Sequence, residues 1–184
     1  MTRRDIPNLL TILRMILILP VIWMLATRQF GVALLLFAIA GFTDGLDGFL
    51  AKHYQWQSRL GSILDPLADK LLLVASFATL TWLSLIPVWL LLLVLARDIL
   101  IVTGGLAYHY IIGSFDLTPL WSSKINTVVQ ILLVLAVIFQ QCGIAELQNV
   151  VDAGIWLVAA SVVISGTEYI LVWGMRAWQQ HNKK

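Results

Sequence analysis

The sequence predicts an all-α, polytopic integral membrane protein with six transmembrane helices. Hydrophobic residues make up 60% of the 184 residues and charged residues only 12%, which is about half the charged fraction of a typical soluble protein. No repeat or long linker divides the chain, so we expect a single domain over residues 1–184. Six apolar segments are each long enough for the roughly 20 residues of a spanning helix, and they lie near residues 8–27, 31–52, 61–83, 86–111, 122–140 and 150–174.

The distribution of Lys and Arg predicts the orientation of these helices. With six spans, the side opposite the termini carries Arg28 and the acidic pair Glu146 and Asp152. Basic residues favour the cytoplasmic side, so both termini are expected there. The net charge of +2 is too small to indicate a nucleic-acid partner. The basic residues on the side of the termini are Arg3, Arg4, Lys52, Arg59, Lys124, Arg176, Lys183 and Lys184.

Four aspartates lie where the second apolar segment ends and the third begins. Asp44 and Asp47 are three residues apart, and Asp65 and Asp69 are four apart, so each pair projects from one helical face. Four converging carboxylates repel one another and therefore need cations. Oxygen ligands favour Mg²⁺, Mn²⁺ or Ca²⁺, and such an ion suits a phosphate-bearing substrate. The alternative is a set of solvated charges at helix ends.

Glycines flank this acidic cluster and would keep the same surface open. Gly48 follows the first aspartate pair, and Gly61 precedes the second. Because glycine has no side chain, a nucleotide or phosphate could approach the backbone at either position.

Basic residues within apolar segments give further candidates. Arg14 lies about two turns into the first segment, where it either extends to the membrane surface or faces inward to a phosphate. Arg97 and Asp98 lie well inside the fourth segment. They either make a purely structural polar contact or face a cavity that contains water. Adjacent residues do not share a helix face, so we expect Arg97 and Asp98 to have separate partners.

The start of the fifth segment is rich in polar side chains. It contains Ser122, Ser123, Lys124, Asn126 and Thr127, with Gln130 one turn further along. A helix start bearing hydroxyls and a lysine suits an anion. The alternative is that this stretch only caps the helix, and that Lys124 only reflects the preference of basic residues for the cytoplasmic side.

The stretch 44–69 resembles the signature of the CDP-alcohol phosphatidyltransferases, D-x2-D-G-x2-A-R-x8-G-x3-D-x3-D. Every fixed position matches except one, where Lys52 replaces the usual arginine. Length, the Pro7-Asn8 start and the six segments also resemble the smaller members. The resemblance implies that a phosphatidyl group passes from CDP-diacylglycerol to an alcohol, with release of CMP. It also implies a homodimer. Because the distribution of Lys and Arg puts residues 44–69 at the cytoplasmic face, we expect the active site to face the cytoplasm, from a bacterial inner membrane.

The resemblance assigns roles to the matching residues. It implies that Asp44, Asp47 and Asp65 bind divalent metal, which would be two Mg²⁺ or Mn²⁺ ions. Asp69 would complete the metal site and act as the general base on the acceptor hydroxyl. On the donor side, it implies contacts to the nucleotide and its phosphates from Gly48, Lys52 and Gly61.

The acceptor is predicted from more local similarity. Ala96-Arg97-Asp98, and the segment from Ser123 to Gln130, are similar to the eukaryotic-type cardiolipin synthases, whose acceptor is phosphatidylglycerol. The alternative is a phosphatidylglycerophosphate synthase that uses glycerol 3-phosphate. In either case, Arg97 and Lys124 would hold the phosphate of the acceptor, with Arg14 as a further phosphate contact.

Two other classes of protein also use clustered aspartates in a membrane. Membrane prenyltransferases pair aspartates with Mg²⁺ and a diphosphate, but they typically have more spans and lack the D-G-x2-A element. A divalent-cation carrier would place its carboxylates nearer the middle of the membrane, whereas these lie near one face. Metal-dependent release of CMP separates both classes from the phosphatidyltransferases.

Overall fold

The computed structural model describes residues 6–54, 61–112 and 121–181, and six α-helices account for most of them. The predicted all-α class is therefore confirmed in this part of the chain. Each helix begins and ends within a few residues of a predicted apolar segment, except that the last helix extends further at its C-terminal end. A short 3₁₀ turn, Ala145–Leu147, precedes the last helix. The helices are α1 (Ile6–Ala26), α2 (Phe30–Tyr54), α3 (Gly61–Trp82), α4 (Val88–Ile112), α5 (Trp121–Gln141) and α6 (Gln148–His181).

Three of the described helices are long and apolar enough to cross a membrane. The spanning stretches are Val88–Gly105 in α4, Trp121–Gln141 in α5 and Gln148–Val172 in α6. Shorter apolar stretches occupy Thr11–Ala26 in α1 and Phe30–Gly45 in α2. The structure therefore supports an integral membrane protein, while six spans remain a prediction.

Large apolar side chains on the outer surface of the helices support the same class. Leu19 is 72% exposed, Phe42 70% and Trp156 70%. A soluble protein rarely exposes apolar side chains on this scale, but a bilayer removes them from water. The exposed faces of these helices are therefore suited to lipid.

The described residues form two compact units, and the first is built around α1. This unit comprises the described residues within Met1–Leu85 and Val134–Leu147. In it, α1 packs against both α2 and α3. Small side chains on α2, Ala33 and Ala40, are fully buried and allow helices to approach closely.

The connection between α1 and α2 is short, and the two helices pack against each other. At the end of α1, the Gln29 amide donates to the Met24 carbonyl at 2.8 Å and the Arg28 amide to the Leu25 carbonyl at 2.9 Å. This pair of bonds satisfies the last carbonyls of the helix and requires a left-handed residue, and Arg28 has a φ of 58°.

The second unit is built from α4, α6 and the first part of α5. It comprises the described residues within Ile86–Leu133 and Gln148–Lys184. In it, α4 packs against α6, and Gly154 of α6 lies so near α5 that an added Cβ would be 3.0 Å from Leu133 Cδ1. A larger residue at position 154 would therefore force Leu133 to move.

Candidate functional site

A buried arginine joins two of the predicted aspartates in the first unit. Arg14 Nη1 lies 2.7 Å from Asp44 Oδ1 and 2.6 Å from Asp69 Oδ1. The three residues come from α1, α2 and α3, respectively. The structure therefore brings one member of each aspartate pair to a single point.

The pattern of buried residues explains why these side chains meet. On α1, Arg14 continues the buried stripe formed by Ile18, Val21 and Leu25, which recurs every three or four residues as one face of a helix does. Because α1 packs against both α2 and α3, a side chain on its buried face is directed towards both of them. On the partner helices, the buried stripes that lead to Asp44 and Asp69 are Ala33, Phe37 and Ala40, and Leu73, Ser76 and Leu80.

The electrostatics of this cluster are asymmetric. The Arg14 side chain is 0% exposed, whereas those of Asp44 and Asp69 are 43% and 45% exposed. A buried guanidinium is stable only with counter-ions, and the two carboxylates supply them. Each carboxylate is also partly exposed, so the cluster can be reached by a ligand from outside the helices.

The other residues of the acidic motif lie on described helices, but their side chains lie outside the described part of the structure. Asp47, Gly48 and Lys52 belong to α2, and Gly61 and Asp65 belong to α3. Among the side chains that are described, no group of three or more potential metal ligands comes together. Convergence of four carboxylates therefore stays a prediction.

The donor atoms that are described fit a hard divalent cation. Asp44 and Asp69 offer carboxylate oxygens within reach of one shared positive charge, Arg14 Nη1. Oxygen ligands of this kind are those preferred by Mg²⁺, Mn²⁺ and Ca²⁺. The helical spacing of Asp47 and Asp65 would place two further carboxylates on the same faces.

A second polar cluster surrounds Arg97 in the second unit. Its Nη2 donates to Ser123 Oγ of α5 at 2.7 Å and to Ser165 Oγ of α6 at 2.6 Å. The guanidinium carbon also lies 5.8 Å from the centre of the Tyr169 ring, within the range of a cation–π interaction. Arg97 therefore joins α4 to both other helices of its unit.

The expectation that Arg97 and Asp98 have separate partners was wrong in one respect. Arg97 Nη1 donates to Asp98 Oδ1 at 3.1 Å. Adjacent residues leave a helix in different directions, but the arginine side chain is long enough for its guanidinium to turn back to the next residue. Arg97 also has the separate partners that were expected, Ser123 and Ser165.

Lys124 lies apart from these buried contacts. It is exposed, and its Nζ lies 5.0 Å from the centre of the Trp121 ring. This arrangement is typical of an interfacial lysine stacked on tryptophan. Binding of an acceptor phosphate by Lys124 therefore stays a prediction.

Sequence analysis missed the contribution of α6. Ser161 donates to Asn126 Oδ1 at 2.8 Å, and Ser165 accepts from Arg97. The two serines are four residues apart in an apolar helix, so they share one face. That spacing was the signal in the sequence that could have identified them.

We expect Arg97→Lys to destabilise the protein. Lysine cannot reproduce a planar guanidinium that donates to Asp98, Ser123 and Ser165 together. The loss of buried charge-assisted hydrogen bonds, on the order of 1–2 kcal/mol, would lower the thermal midpoint in detergent by several degrees. Lys124→Met, at an exposed position, is the control and should shift the midpoint little. An equal midpoint shift in both variants would contradict the structural role of Arg97.

Comparison with known proteins identifies a family over nearly the whole chain. The family model described as CDP-alcohol phosphatidyltransferase matches residues 4–171. This match includes all four aspartates as well as Arg14, Arg97 and Lys124. Both polar clusters therefore lie within the family domain.

Individual relatives carry two different names. The cardiolipin synthase (CMP-forming) of Rattus norvegicus is 38% identical over 71% of this chain and 49% of its own length. The chloroplastic CDP-diacylglycerol–glycerol-3-phosphate 3-phosphatidyltransferase 1 of Oryza sativa subsp. japonica is 34% identical over 90% of this chain and 56% of its own. The corresponding enzyme of Blochmanniella floridana is 28% identical over 93% and 87%. The chain thus spans about half the length of the first two relatives.

Proposed function

Because the chain belongs to the CDP-alcohol phosphatidyltransferase family, we propose that it transfers a phosphatidyl group from CDP-diacylglycerol to an alcohol and releases CMP. The observation that carries this proposal is the meeting of Asp44 and Asp69, from two different helices, at Arg14. These aspartates are the first and last fixed positions of the family signature. Their convergence supports a single reaction site for that signature.

The proposed metal site consists of Asp44, Asp47, Asp65 and Asp69. Members of the family generally depend on a divalent metal, and we propose two Mg²⁺ or Mn²⁺ ions for this chain. When bound, the ions neutralise charge on the diphosphate oxygens of the donor. Because these carboxylates lie on helices, the site would hold the donor diphosphate in one orientation. A fixed orientation lowers the entropic part of the activation barrier.

Asp69 is the proposed general base. Its carboxylate accepts the proton of the acceptor hydroxyl as the hydroxyl oxygen bonds to the phosphorus of the phosphatidyl group. The bond between that phosphorus and the oxygen of CMP breaks in the same transfer, and CMP leaves with the electron pair. The contact from Arg14 Nη1 to Asp69 Oδ1 holds this carboxylate in place at the proposed site.

Other side chains are assigned by their positions in the family pattern. Gly48 and Gly61 border the cytidine nucleotide, and Lys52 contacts the donor phosphates. Lysine keeps the charge of the usual arginine but loses its bidentate geometry. Arg97 and Lys124 are proposed to hold the phosphate of the acceptor, and Arg14 stays a candidate for a phosphate contact.

Phosphatidylglycerol is the proposed acceptor, which makes the product cardiolipin. The residues Arg97-Asp98 and Ser123-Lys124 support this choice, and so does the identity of 38% with a relative named cardiolipin synthase. Glycerol 3-phosphate is the second candidate, because relatives named for that substrate match up to 93% of the chain. The two candidates share an alcohol next to a phosphate.

We further propose the arrangement of the chain in the membrane. The three helices long enough to span and the shorter apolar stretches of α1 and α2, together with the apolar segment of the sequence at residues 61–83, support six spans in one domain over residues 1–184. The bias of Lys and Arg supports cytoplasmic termini and a cytoplasmic active site in a bacterial inner membrane. A homodimer is proposed by resemblance to the family.

Purified protein in detergent tests this function directly. Reactions contain CDP-diacylglycerol and Mg²⁺, with phosphatidylglycerol or glycerol 3-phosphate offered separately, and lipid products are identified by mass spectrometry. We expect cardiolipin and an equal amount of CMP with phosphatidylglycerol, and no reaction after removal of metal by EDTA. Restored turnover on adding Mg²⁺ back is the control for chelation.

Two other outcomes would change the proposal. Phosphatidylglycerophosphate made from glycerol 3-phosphate would identify the second acceptor and reduce the weight of the local similarity at 97–98 and 123–130. If neither acceptor nor other small alcohols gave CMP, the proposed activity would be wrong for this chain.

A further inference from the structure

Arg97 keeps an unused donor inside the second unit. Its side chain is 6% exposed, and its two terminal nitrogens donate to Asp98, Ser123 and Ser165. Its Nε, in contrast, is buried and has no hydrogen-bond partner among the described residues. A buried N–H of a charged group is costly to leave unpaired. A ligand with an acceptor oxygen would satisfy it.

The serines around Arg97 can donate to the same ligand. A guanidinium has no acceptor atom, so Ser123 and Ser165 accept its hydrogen bonds, and each hydroxyl keeps its own proton to donate. Ser122 Oγ is a further buried hydroxyl, without a partner in the part of the chain that the structure describes. Arg97 and these serines therefore form a group of hydrogen-bond donors.

The position of two of these serines favours an anion as the ligand. Ser122 and Ser123 lie in the first turn of α5, which begins at Trp121. Unpaired backbone N–H groups and the helix dipole attract negative charge at such a helix start. Both serines are partly exposed, so a ligand can approach from that end of α5. The four donor residues all belong to the second unit.

The charges at this site nearly cancel. Arg97 Nη1 lies 3.1 Å from Asp98 Oδ1, and the two side chains are only 6% and 13% exposed. Lys124 does not add its charge to the pair, because it is exposed and lies over the Trp121 ring. The donors that remain for a ligand are thus mostly neutral hydroxyls. Such a buried site accepts one negative charge more readily than two, because the desolvation cost and the repulsion from Asp98 both rise with charge.

We propose that Arg97, Ser123 and Ser165 bind the singly charged phosphodiester of a membrane lipid in preference to a doubly charged phosphomonoester. Asp98 is the residue that sets this preference. The ligand is a lipid because Arg97 lies in the spanning stretch Val88–Gly105. The inference rests on the proposed function, in which Arg97 holds a phosphate, and it names the class of that phosphate. Its residues lie in one unit, so binding at this site does not depend on where the aspartates of the other unit lie.

Two lipids that cannot serve as acceptors test the preference directly. Phosphatidylmethanol is a phosphodiester and phosphatidic acid is a phosphomonoester, and neither carries an alcohol on its headgroup. Their binding to the full-length protein in detergent is measured by native mass spectrometry at about pH 9, well above the second pKa of a phosphomonoester. EDTA prevents a metal ion from holding either phosphate. We expect phosphatidylmethanol to bind about tenfold more tightly, which corresponds to about 1.4 kcal/mol.

Ser165→Ala tests whether these lipids bind at Arg97. The substitution removes a hydroxyl donor from α6 without changing any charge. We expect both lipids to bind about fivefold more weakly, with the preference between them kept. Thr167→Ala is the matched control on the same helix, because its exposed hydroxyl donates to the helix backbone at Val163 and Ile164. It should bind both lipids as wild-type protein does.

Asp98→Asn tests the origin of the preference. It removes the negative charge but leaves an oxygen to which Arg97 Nη1 can donate. We expect phosphatidic acid to gain more affinity than phosphatidylmethanol, so that the preference falls below about threefold. Ser122→Lys keeps Asp98 and adds a positive charge in the same turn as Ser123, so it should reduce the preference even if Asp98→Asn fails to fold. Asp152→Asn, at an exposed position, is the matched control.

The contrary results are distinct. Equal binding of the two lipids to wild-type protein, or undiminished binding to Ser165→Ala, would overturn the phosphodiester site. A preference that stayed at the wild-type value in Ser122→Lys and in folded Asp98→Asn would remove the role of Asp98. If dimethyl phosphate, which has no acyl chains, bound as tightly as phosphatidylmethanol, the assignment to a lipid would be wrong. Failure of the proposed function would look different, since wild-type protein would then bind phosphatidylmethanol selectively but release no CMP with any acceptor.

Discussion

Asp69→Asn is expected to abolish phosphatidyl transfer while leaving the protein folded and donor binding largely intact. An amide cannot accept the proton of the acceptor hydroxyl, and loss of a general base alone typically slows a reaction by about 10²–10⁴-fold. The substitution also removes a carboxylate from the proposed metal site. The fold should survive because Arg14 keeps its contact to Asp44 at 2.7 Å, so the buried guanidinium retains a counter-ion.

Three measurements separate these effects. CMP release reports turnover, binding of CDP-diacylglycerol reports the donor site, and the thermal midpoint in detergent reports folding. The matched control is Asp152→Asn, an exposed aspartate near the start of α6 whose contact is to Gln148. It should keep wild-type values of all three. Turnover at the wild-type rate in Asp69→Asn would remove Asp69 as the base.

The helices and the acidic cluster were predictable because their signals are local. Apolar runs of spanning length need no knowledge of distant residues, and the described helices start and end close to them. The spacing of Asp44 with Asp47, and of Asp65 with Asp69, likewise depends only on helical geometry. Convergence of the two pairs needed one further assumption, that the helices joined by a short connection come together. The described contacts show both α2 and α3 packed against α1, and Arg14 of α1 joins Asp44 to Asp69.

The partners of the buried cations were not predictable because they depend on packing between helices. Physical chemistry requires a counter-ion for Arg14, but its partner Asp69 lies 55 residues away. Phosphate and carboxylate can both act as the counter-ion of a guanidinium. The presence of an arginine at position 14 therefore does not indicate which of the two it binds. The partner of Arg97 was also not predictable. Its contact with Ser165 joins residues 68 apart in the sequence and depends on the register between α4 and α6.

Arg14→Met is the prediction that separates a phosphate contact from a positioning role for Arg14. The structure places Nη1 against the two carboxylates of the proposed metal and base site. We therefore expect a fall in kcat of about 10²-fold, because Asp69 loses the contact that fixes its orientation. The acceptor KM should change little.

The same substitution should make the protein bind metal more readily. A guanidinium beside Asp44 and Asp69 repels a divalent cation, and its removal leaves the carboxylates more negative. Because both carboxylates are more than 40% exposed, solvent screens this repulsion. We expect the half-saturating Mg²⁺ concentration to fall by only about tenfold at most. Titration of CMP release against Mg²⁺ gives that concentration and kcat together.

Arg14→Lys is the matched variant that keeps the charge. A single nitrogen, Nη1, makes both carboxylate contacts, so a lysine ammonium that reached its position could bridge the same two oxygens. We expect this variant to keep a metal dependence close to wild type and much of the turnover. If instead Arg14→Met raised the acceptor KM and left the Mg²⁺ dependence unchanged, Arg14 would be a phosphate ligand. The two contacts to aspartate would then serve only to hold it in place.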